Sequence, residues 1–251
     1  MCTISIVPID NGYRVMHSRD ELRSRSPEQA PAWRMLENGK TACWPTDTDA
    51  GGTWVAVRED GFYLGLVNLN LTDDQLDADL PEVFHISRGT LIPMLMEADD
   101  LHDALKRLTS MDLRGMKPFR LLLVGPAEEG GFASAIARFG GSEVTLPAPL
   151  EPVVRPRCLA SSGLGDHLVQ CRLPLFREMV VPDPSPENQR AFHFHQWPDK
   201  LEYSVLMSRE NARTSSVTSV EHTGTDLPNV VYESVAEACP EADPVGSEML
   251  Q

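Results

Sequence analysis

Residues 1–21 read MCTISIVPIDNGYRVMHSRDE, and this stretch decides the fold. Thr3 to Val7 and Tyr13 to Ser18 read as two short strands, and Asp10-Asn11-Gly12 between them is turn chemistry. An Asn-Gly pair between alternating segments is a strong hairpin signal, because both residues tolerate positive φ. With Asn11 and Gly12 as the loop, Asp10 faces Tyr13, Ile4 faces Arg19, Thr3 faces Asp20 and Cys2 faces Glu21. Opposed residues have Cβ atoms roughly 4.5–5.5 Å apart. Pro8 lacks a donor, so a bulge there would slip the register by a residue. In either register a thiol, a guanidinium and two carboxylates converge at one strand end.

That convergence has a chemical use. Cysteine is nucleophilic as thiolate, and a nearby cation lowers its pKa from about 8.5. Once Met1 is removed, which a small second residue permits, Cys2 carries a free α-amine. Such an amine, with a pKa of roughly 7.7–8.0, is a suitable base at neutral pH. Arg19 would favour the thiolate or a developing negative charge, and Asp20 would hold the ammonium. The plainer reading of the same residues is a small apolar strand residue beside a solvated Arg-Asp pair.

Further along, Thr53 to Val57 and Tyr63 to Val67 read as a second hairpin around Gly61, after a turn ending in Gly51-Gly52. A helical region runs from about Ser87 to Leu108, interrupted near Asp99-Asp100. Phe119 to Val124 and Gly131 to Arg138 read as strands, and the Pro-rich segment from Thr145 to Pro156 as irregular. Asp166 to Met179 and Pro186 to Trp197 read as helices, and Tyr203 to Met207, Ser215 to Val220 and Val230 to Val235 as late strands. Strands, then helices, then strands indicate one α+β domain over residues 1–235. Residues 236–251 are acidic, contain Pro240 and Pro244, and read as a disordered tail.

Composition narrows the function classes. Among 251 residues, 37 acidic side chains against 22 basic ones give a net charge of -15, which excludes the basic stripe a nucleic-acid binder needs. No apolar run is long enough to cross a bilayer, and the N-terminal residues do not form a signal peptide. Five cysteines without a CxxC pair suit a reducing compartment, so the expected location is cytoplasmic. No nucleotide-binding glycine motif occurs, and no cofactor is expected.

Met1-Cys2-Thr3, Ser18-Arg19-Asp20-Glu21 and Gly51-Gly52-Thr53-Trp54 together resemble the NRDE family, also called transport and Golgi organisation protein two. The resemblance extends from Met1 to about Val235. Its N-terminal pattern is similar to that of the N-terminal-nucleophile acylases, such as penicillin V acylase and bile salt hydrolase. It implies a four-layered αββα sandwich and hydrolysis of a C–N (amide) bond, or acyl transfer, on a small-molecule substrate. Residue by residue, it implies Cys2 as nucleophile with Arg19 and Asp20 as polar partners. It also implies Asn68 as an oxyanion-hole donor and Arg213, in Ala212-Arg213-Thr214-Ser215-Ser216, as a second active-site arginine. Glu21, Trp54 and Ser162 are the expected substrate-binding residues.

The chain departs from the family pattern at Ser18 and Ser162, where Asn is usual. A serine hydroxyl is a shorter donor, and losing one oxyanion donor costs on the order of 10²–10³ in turnover. The alternative function is therefore a non-catalytic carrier of haem or another apolar ligand, to which the family has been linked. Cys239-Pro240 is a loose match to a haem-regulatory dipeptide. A lipid-linked or interaction protein is a third reading.

Other candidates read as structural. Arg88 sits at a helix start, with Ser87 as N-cap. His193-Phe194-His195 falls in a helix, where the two imidazoles diverge, and no metal-ligand spacing accompanies them, so no metal site is expected. His17 is close enough to the tetrad to tune it but reads as packed. Trp44, Trp54, Phe62 and Tyr63 read as core, and Cys43, Cys158 and Cys171 as buried small residues.

Overall fold

A computed structural model describes residues 2–71, 83–146 and 150–235. Met1, the tail 236–251 and Cys239-Pro240 within it lie outside the described residues.

β1 (Cys2–Ile9) and β2 (Gly12–Leu22) form the predicted hairpin, but its register differs from the expected one by two residues. Ile9 pairs with Gly12, leaving Asp10-Asn11 as the loop, and Cys2 stands opposite Arg19 rather than Glu21. The cause lies in Gly12. Only Asn11 takes a left-handed φ, of 59°, which asparagine accepts more readily than other side chains. Gly12 instead belongs to the strand, where a Cβ would collide with the His222 carbonyl of the neighbouring strand. A shift of two residues keeps every side chain on its original face.

The chain continues through β3 (Gln29–Met35), β4 (Thr41–Thr46), β5 (Val55–Arg58) and β6 (Tyr63–Asn68). Helices α1 (Leu91–Met96) and α2 (Leu101–Ser110) follow, separated near Asp99-Asp100 as expected. Asp100 caps α2 by accepting from the Asp103 amide. Next come β7 (Phe119–Pro126), β8 (Phe132–Phe139), the two-residue β9 (Val144–Thr145) and β10 (Glu151–Pro152), and β11 (Arg157–Ala160). Helices α3 (Arg172–Met179) and α4 (Pro186–His193) precede the final strands β12 (Ala212–His222) and β13 (Asn229–Ser234). Tyr203 to Met207 is not a strand. Its backbone turns on itself, with the Tyr203 and Ser204 amides donating to Lys200 O.

The strands make two antiparallel sheets: β11-β1-β2-β12-β13, and β10-β8-β7-β6-β5-β4-β3 with β9 beside β8. Between the sheets lies an apolar layer in which Ile4, Ile6 and Val15 meet Val55, Val57, Tyr63 and Leu122. The outer face of the larger sheet buries Leu64, Leu66 and Leu121 against Leu91, Leu95, Leu105 and Leu108 of α1 and α2. The outer face of the smaller sheet is covered by α3 and α4, where Val7 packs on Phe176 and Phe192. The architecture is α+β, an αββα sandwich. Each side chain takes its layer from the two-residue period of β1, with Cys2, Ile4 and Ile6 facing inward and Thr3, Ser5 and Val7 facing the helices.

That helix-facing side is unusually polar. Ser5 and Ser18 bind the two ring nitrogens of His193, each at 2.7 Å. Gln189 donates to the Ser5 hydroxyl at 2.8 Å, and Arg172 donates to Thr3 Oγ1 at 2.7 Å. Most buried polar groups in folded proteins are paired in this way. The paired hydroxyls therefore fix α3 and α4 to the sheet by direction as well as by contact.

Candidate active site

A cleft of about 340 Å³ opens where β1 and β2 end, and Cys2, Arg19, Asp20, Glu21, Trp54 and Asn68 all line it. Six of the eight residues expected from sequence thus share one cavity. Cys2 reaches it from β1 with only 6% of its surface exposed. Burial raises the thiol pKa, as does the charge of Asp20, while the Asp20 backbone N–H and the Arg19 guanidinium draw it down. Burial is the larger effect, so the thiol keeps its proton until a base removes it.

Arg19, directly across the ladder from Cys2, is held from several sides. Its guanidinium lies 3.1 Å from Glu28 and 3.0 Å from Asp47, with Glu21 at 3.3 Å. It also stacks over the Trp54 ring at 4.4 Å. Glu28 in turn accepts from Ser215 at 3.0 Å and Ser216 at 2.7 Å. A register shift in β12 makes both contacts available: Thr214 pairs with Asp20 and Ser216 with Arg19, so Ser215 is the extra residue of a bulge. The Arg19, Ser215 and Ser216 contacts hold the Glu28 carboxyl below its usual range against the opposing effect of burial.

Asp20 is nearly fully buried. Thr214 Oγ1 donates to its Oδ1 at 2.6 Å, and its Oδ2 is 3.6 Å from Arg172. Asn68, at the end of β6, has no hydrogen-bond partner for its amide among the described residues. The amide is therefore available to a ligand in the cleft.

Two expected residues fall elsewhere. Arg213 pairs with Glu21 across the sheet but lines a smaller, adjoining cavity, which shares Arg19, Glu21 and Arg25 with the cleft. Ser162 is buried beside the cleft rather than in it. Its Oγ accepts from Arg209 at 2.9 Å and its amide donates to Asp166 at 3.0 Å. It nevertheless adjoins the thiol residue, because the Ser161 amide donates to Cys2 O at 3.0 Å.

Arg88 corrects the sequence reading in the other direction. Ser87 makes no side-chain cap, and Arg88 is not simply exposed. It lines the cleft together with Lys117, and Arg88 Nη1 donates to Pro118 O at 2.9 Å. Gly52 holds this wall in place. The Thr53 amide donates to Gly89 O at 3.0 Å, and a Cβ on Gly52 would stand 2.5 Å from the Gly89 carbonyl carbon. The Gly51-Gly52 pair was the available signal, but its partner Gly89 lies too far along the chain to be matched to it by local pattern. Arg172, Glu28 and Asp47 carried no local signal at all.

The remaining candidates are structural. His17 and His193 are fully buried, and burial holds His193 neutral with a pKa of about 3. Phe62 and Tyr63 are core residues, and Trp44 stacks on Arg34 at 4.6 Å. Cys43 is buried, Cys158 is partly covered and Cys171 stands exposed, contrary to expectation for the last. No group of three metal-ligating side chains occurs, and no helix is long and apolar enough to cross a membrane, among the described residues.

Comparison with known structures places this arrangement in a family of folds. An N-acylethanolamine-hydrolyzing acid amidase ortholog from Caenorhabditis elegans superposes with a TM-score of 0.53 at 12% identity, over 87% of this chain and 92% of that one. A conjugated bile acid hydrolase from Clostridium perfringens, in its C2A mutant form, gives 0.51 at 9% identity over 92% of each chain. At these identities the likeness concerns the fold, which is that of the N-terminal-nucleophile hydrolases. No curated protein matches the sequence. Residues 1–137 match the family model described as Transport and Golgi organisation 2, a span that carries every expected residue found in the cleft. The chain belongs to the Transport and Golgi organisation 2 family.

Proposed function

We propose that the chain is a cysteine N-terminal-nucleophile hydrolase that cleaves a C–N (amide) bond of a small molecule. The observation that carries this reading is the opposition of Cys2 and Arg19 across the β1–β2 ladder, at the mouth of a cleft that also contains Asp20 and Asn68. The two fold neighbours, an acid amidase and a bile acid hydrolase, are named for hydrolytic chemistry and so support it.

With Met1 removed, the α-amine of Cys2 takes the thiol proton, the step that a buried, raised-pKa thiol requires. The sulfur then adds to the amide carbonyl, and the Asn68 amide donates to the resulting oxyanion. Collapse breaks the C–N bond as the ammonium returns its proton to the leaving amine. Water hydrolyses the thioester, so that amide and water yield acid and amine. Arg19, already paired with carboxylates, acts here as the rigid partner that sets the position of Cys2. A reducing compartment such as the cytoplasm suits a thiol nucleophile, and Cys2, Cys43, Cys158 and Cys171 are all free.

Intact mass spectrometry should show loss of Met1, and an electrophilic acyl probe should label Cys2. Undiminished labelling in Cys2→Ala, or retention of Met1 in active protein, would refute the assignment. The haem-carrier reading gains no support from the cleft, whose walls are set with charged groups. A titration with haem that produces a saturable Soret shift would restore it.

A further inference from the structure

The cleft differs in charge from the molecule that contains it. The chain carries a net charge of -15, yet four cations line the cleft, Arg19, Arg25, Arg88 and Lys117, against the three carboxylates of Asp20, Glu21 and Asp47. The charges are also segregated. Arg19 and Arg25 share Asp47, at 3.0 and 2.8 Å, and both approach Glu21. Elsewhere in the lining, Arg88 and Lys117 form no ion pair with any carboxylate among the described residues.

Arg88 is bound by a single carbonyl, Pro118 O, which leaves much of its donor fork unused. Lys117 stands exposed at the rim, 5.8 Å from the Phe84 ring. Burial lowers the Arg88 pKa, and negative charge at Cys2 or Glu21 raises it again. Arg88 is therefore a cation that an anion in the cleft would stabilise. A third donor also lacks an acceptor, because the indole N–H of Trp54, a 6%-exposed residue of the same cleft, is buried without a partner. A partly desolvated guanidinium with no carboxylate in contact among the described residues is costly for a fold to keep. Ligand recognition accounts for keeping it on the cleft wall, with the exposed Lys117 beside it at the rim.

We infer that Arg88 and Lys117 form an anion subsite, and that the substrate carries an oxyanion group, carboxylate or phosphate, close to the carbon that Cys2 attacks. The inference deepens the reading of Cys2 as the reacting group, on which it rests. A guanidinium fork suits either oxyanion by paired hydrogen bonds, while a lysine at the rim adds attraction without fixed geometry. Neutral amides would fill the same volume and leave both cations unmatched.

Alkylation of the thiols tests the subsite without requiring turnover. Negatively charged iodoacetate and neutral iodoacetamide are compared at Cys2 by peptide mapping, with the exposed Cys171 as the internal reference. The iodoacetate-to-iodoacetamide rate ratio should be about tenfold higher at Cys2 than at Cys171, and should fall as salt is raised. Arg88→Gln and Lys117→Gln should each remove most of the difference. Lys117→Gln is the control for folding, since Lys117 is exposed. Protection of Cys2 by hexanoate, hexyl phosphate or neither separates the two oxyanions, with hexanamide as the neutral control.

Equal ratios at the two cysteines, ratios unchanged in both variants, or a Cys2 that neither reagent reaches would overturn the subsite. Charge preference at Cys2 without hydrolysis of any amide would leave the subsite standing and remove the hydrolase reading. Hydrolysis of neutral amides without charge preference would do the reverse.

Discussion

The guanidinium of Arg19 lies 4.4 Å from the centre of the Trp54 ring, so the residue facing Cys2 is braced by an aromatic wall as well as by carboxylates. Arg19→Leu removes the stack and leaves Glu28, 8% exposed, without its cation, while Asp47 keeps only Arg25. A loss of about 3 kcal/mol or more is expected in urea unfolding. Adding Glu28→Gln to that variant should recover part of it, because the stranded charge is then gone. Arg19→Lys should fall between, since lysine keeps the charge but neither the fork nor the stack.

Gly12→Ala tests the observed register. The new methyl would collide with the His222 carbonyl, so the hairpin must part from β12. Denaturant unfolding should show destabilisation of about 1–3 kcal/mol, the range for overpacking. Were Gly12 a loop residue, as the Asn-Gly pattern suggests, alanine would be disfavoured by its positive φ alone and the contact between β2 and β12 would survive.

The sequence and the structure part company at instructive places. The positions of β1, β2, β5 and β6 were legible because alternation and turn residues are local signals. The hairpin register was not, because the position of Gly12 is decided by β12, some 200 residues later in the chain. Likewise Arg19 and Asp20 could be placed beside Cys2 from the hairpin alone, whereas Glu28, Asp47 and Arg172 reach them through folds of loop and helix that leave no periodic trace. Tyr203 to Met207 has the composition of a strand, but its amides at Tyr203 and Ser204 close a turn on Lys200 O, and only Met207 and Ser208 reach β12, as an isolated bridge.

His193 makes stability depend on pH. The unfolded chain takes up a proton near pH 6.5, while the folded chain resists doing so until about pH 3. Stability is therefore full above pH 6.5 and falls as the pH is lowered, by up to about 1.4 kcal/mol per unit from this group. His17, also buried and shifted downward, adds to the slope. Urea midpoints measured between pH 7 and 5 should decline, and His193→Gln should flatten the decline while lowering the starting value.

Asp166 secures the loop beside Cys2 from outside the cleft. It accepts from the Ser162 amide at 3.0 Å, from Asn70 at 3.2 Å and from Arg120 at 3.0 Å. Asp166→Ala leaves the Ser162 amide unmatched and strips one acceptor from Asn70 and Arg120, which keep Ser161 Oγ and Ala160 O, and should cost about 2 kcal/mol. Hydrogen exchange at the Ser161 and Ser162 amides should accelerate markedly; protection equal to that of the parent would show that the loop is held by other means.

Where Gly52 meets Gly89, main chain rests on main chain with no side chain between them. The gauge of the cleft is thereby a property of the backbone, indifferent to which residues decorate its walls. Relatives that keep this seam can change what they accept only by altering the floor or the rim. Any side chain at position 52 would instead wedge the two walls apart and change the width for every ligand at once.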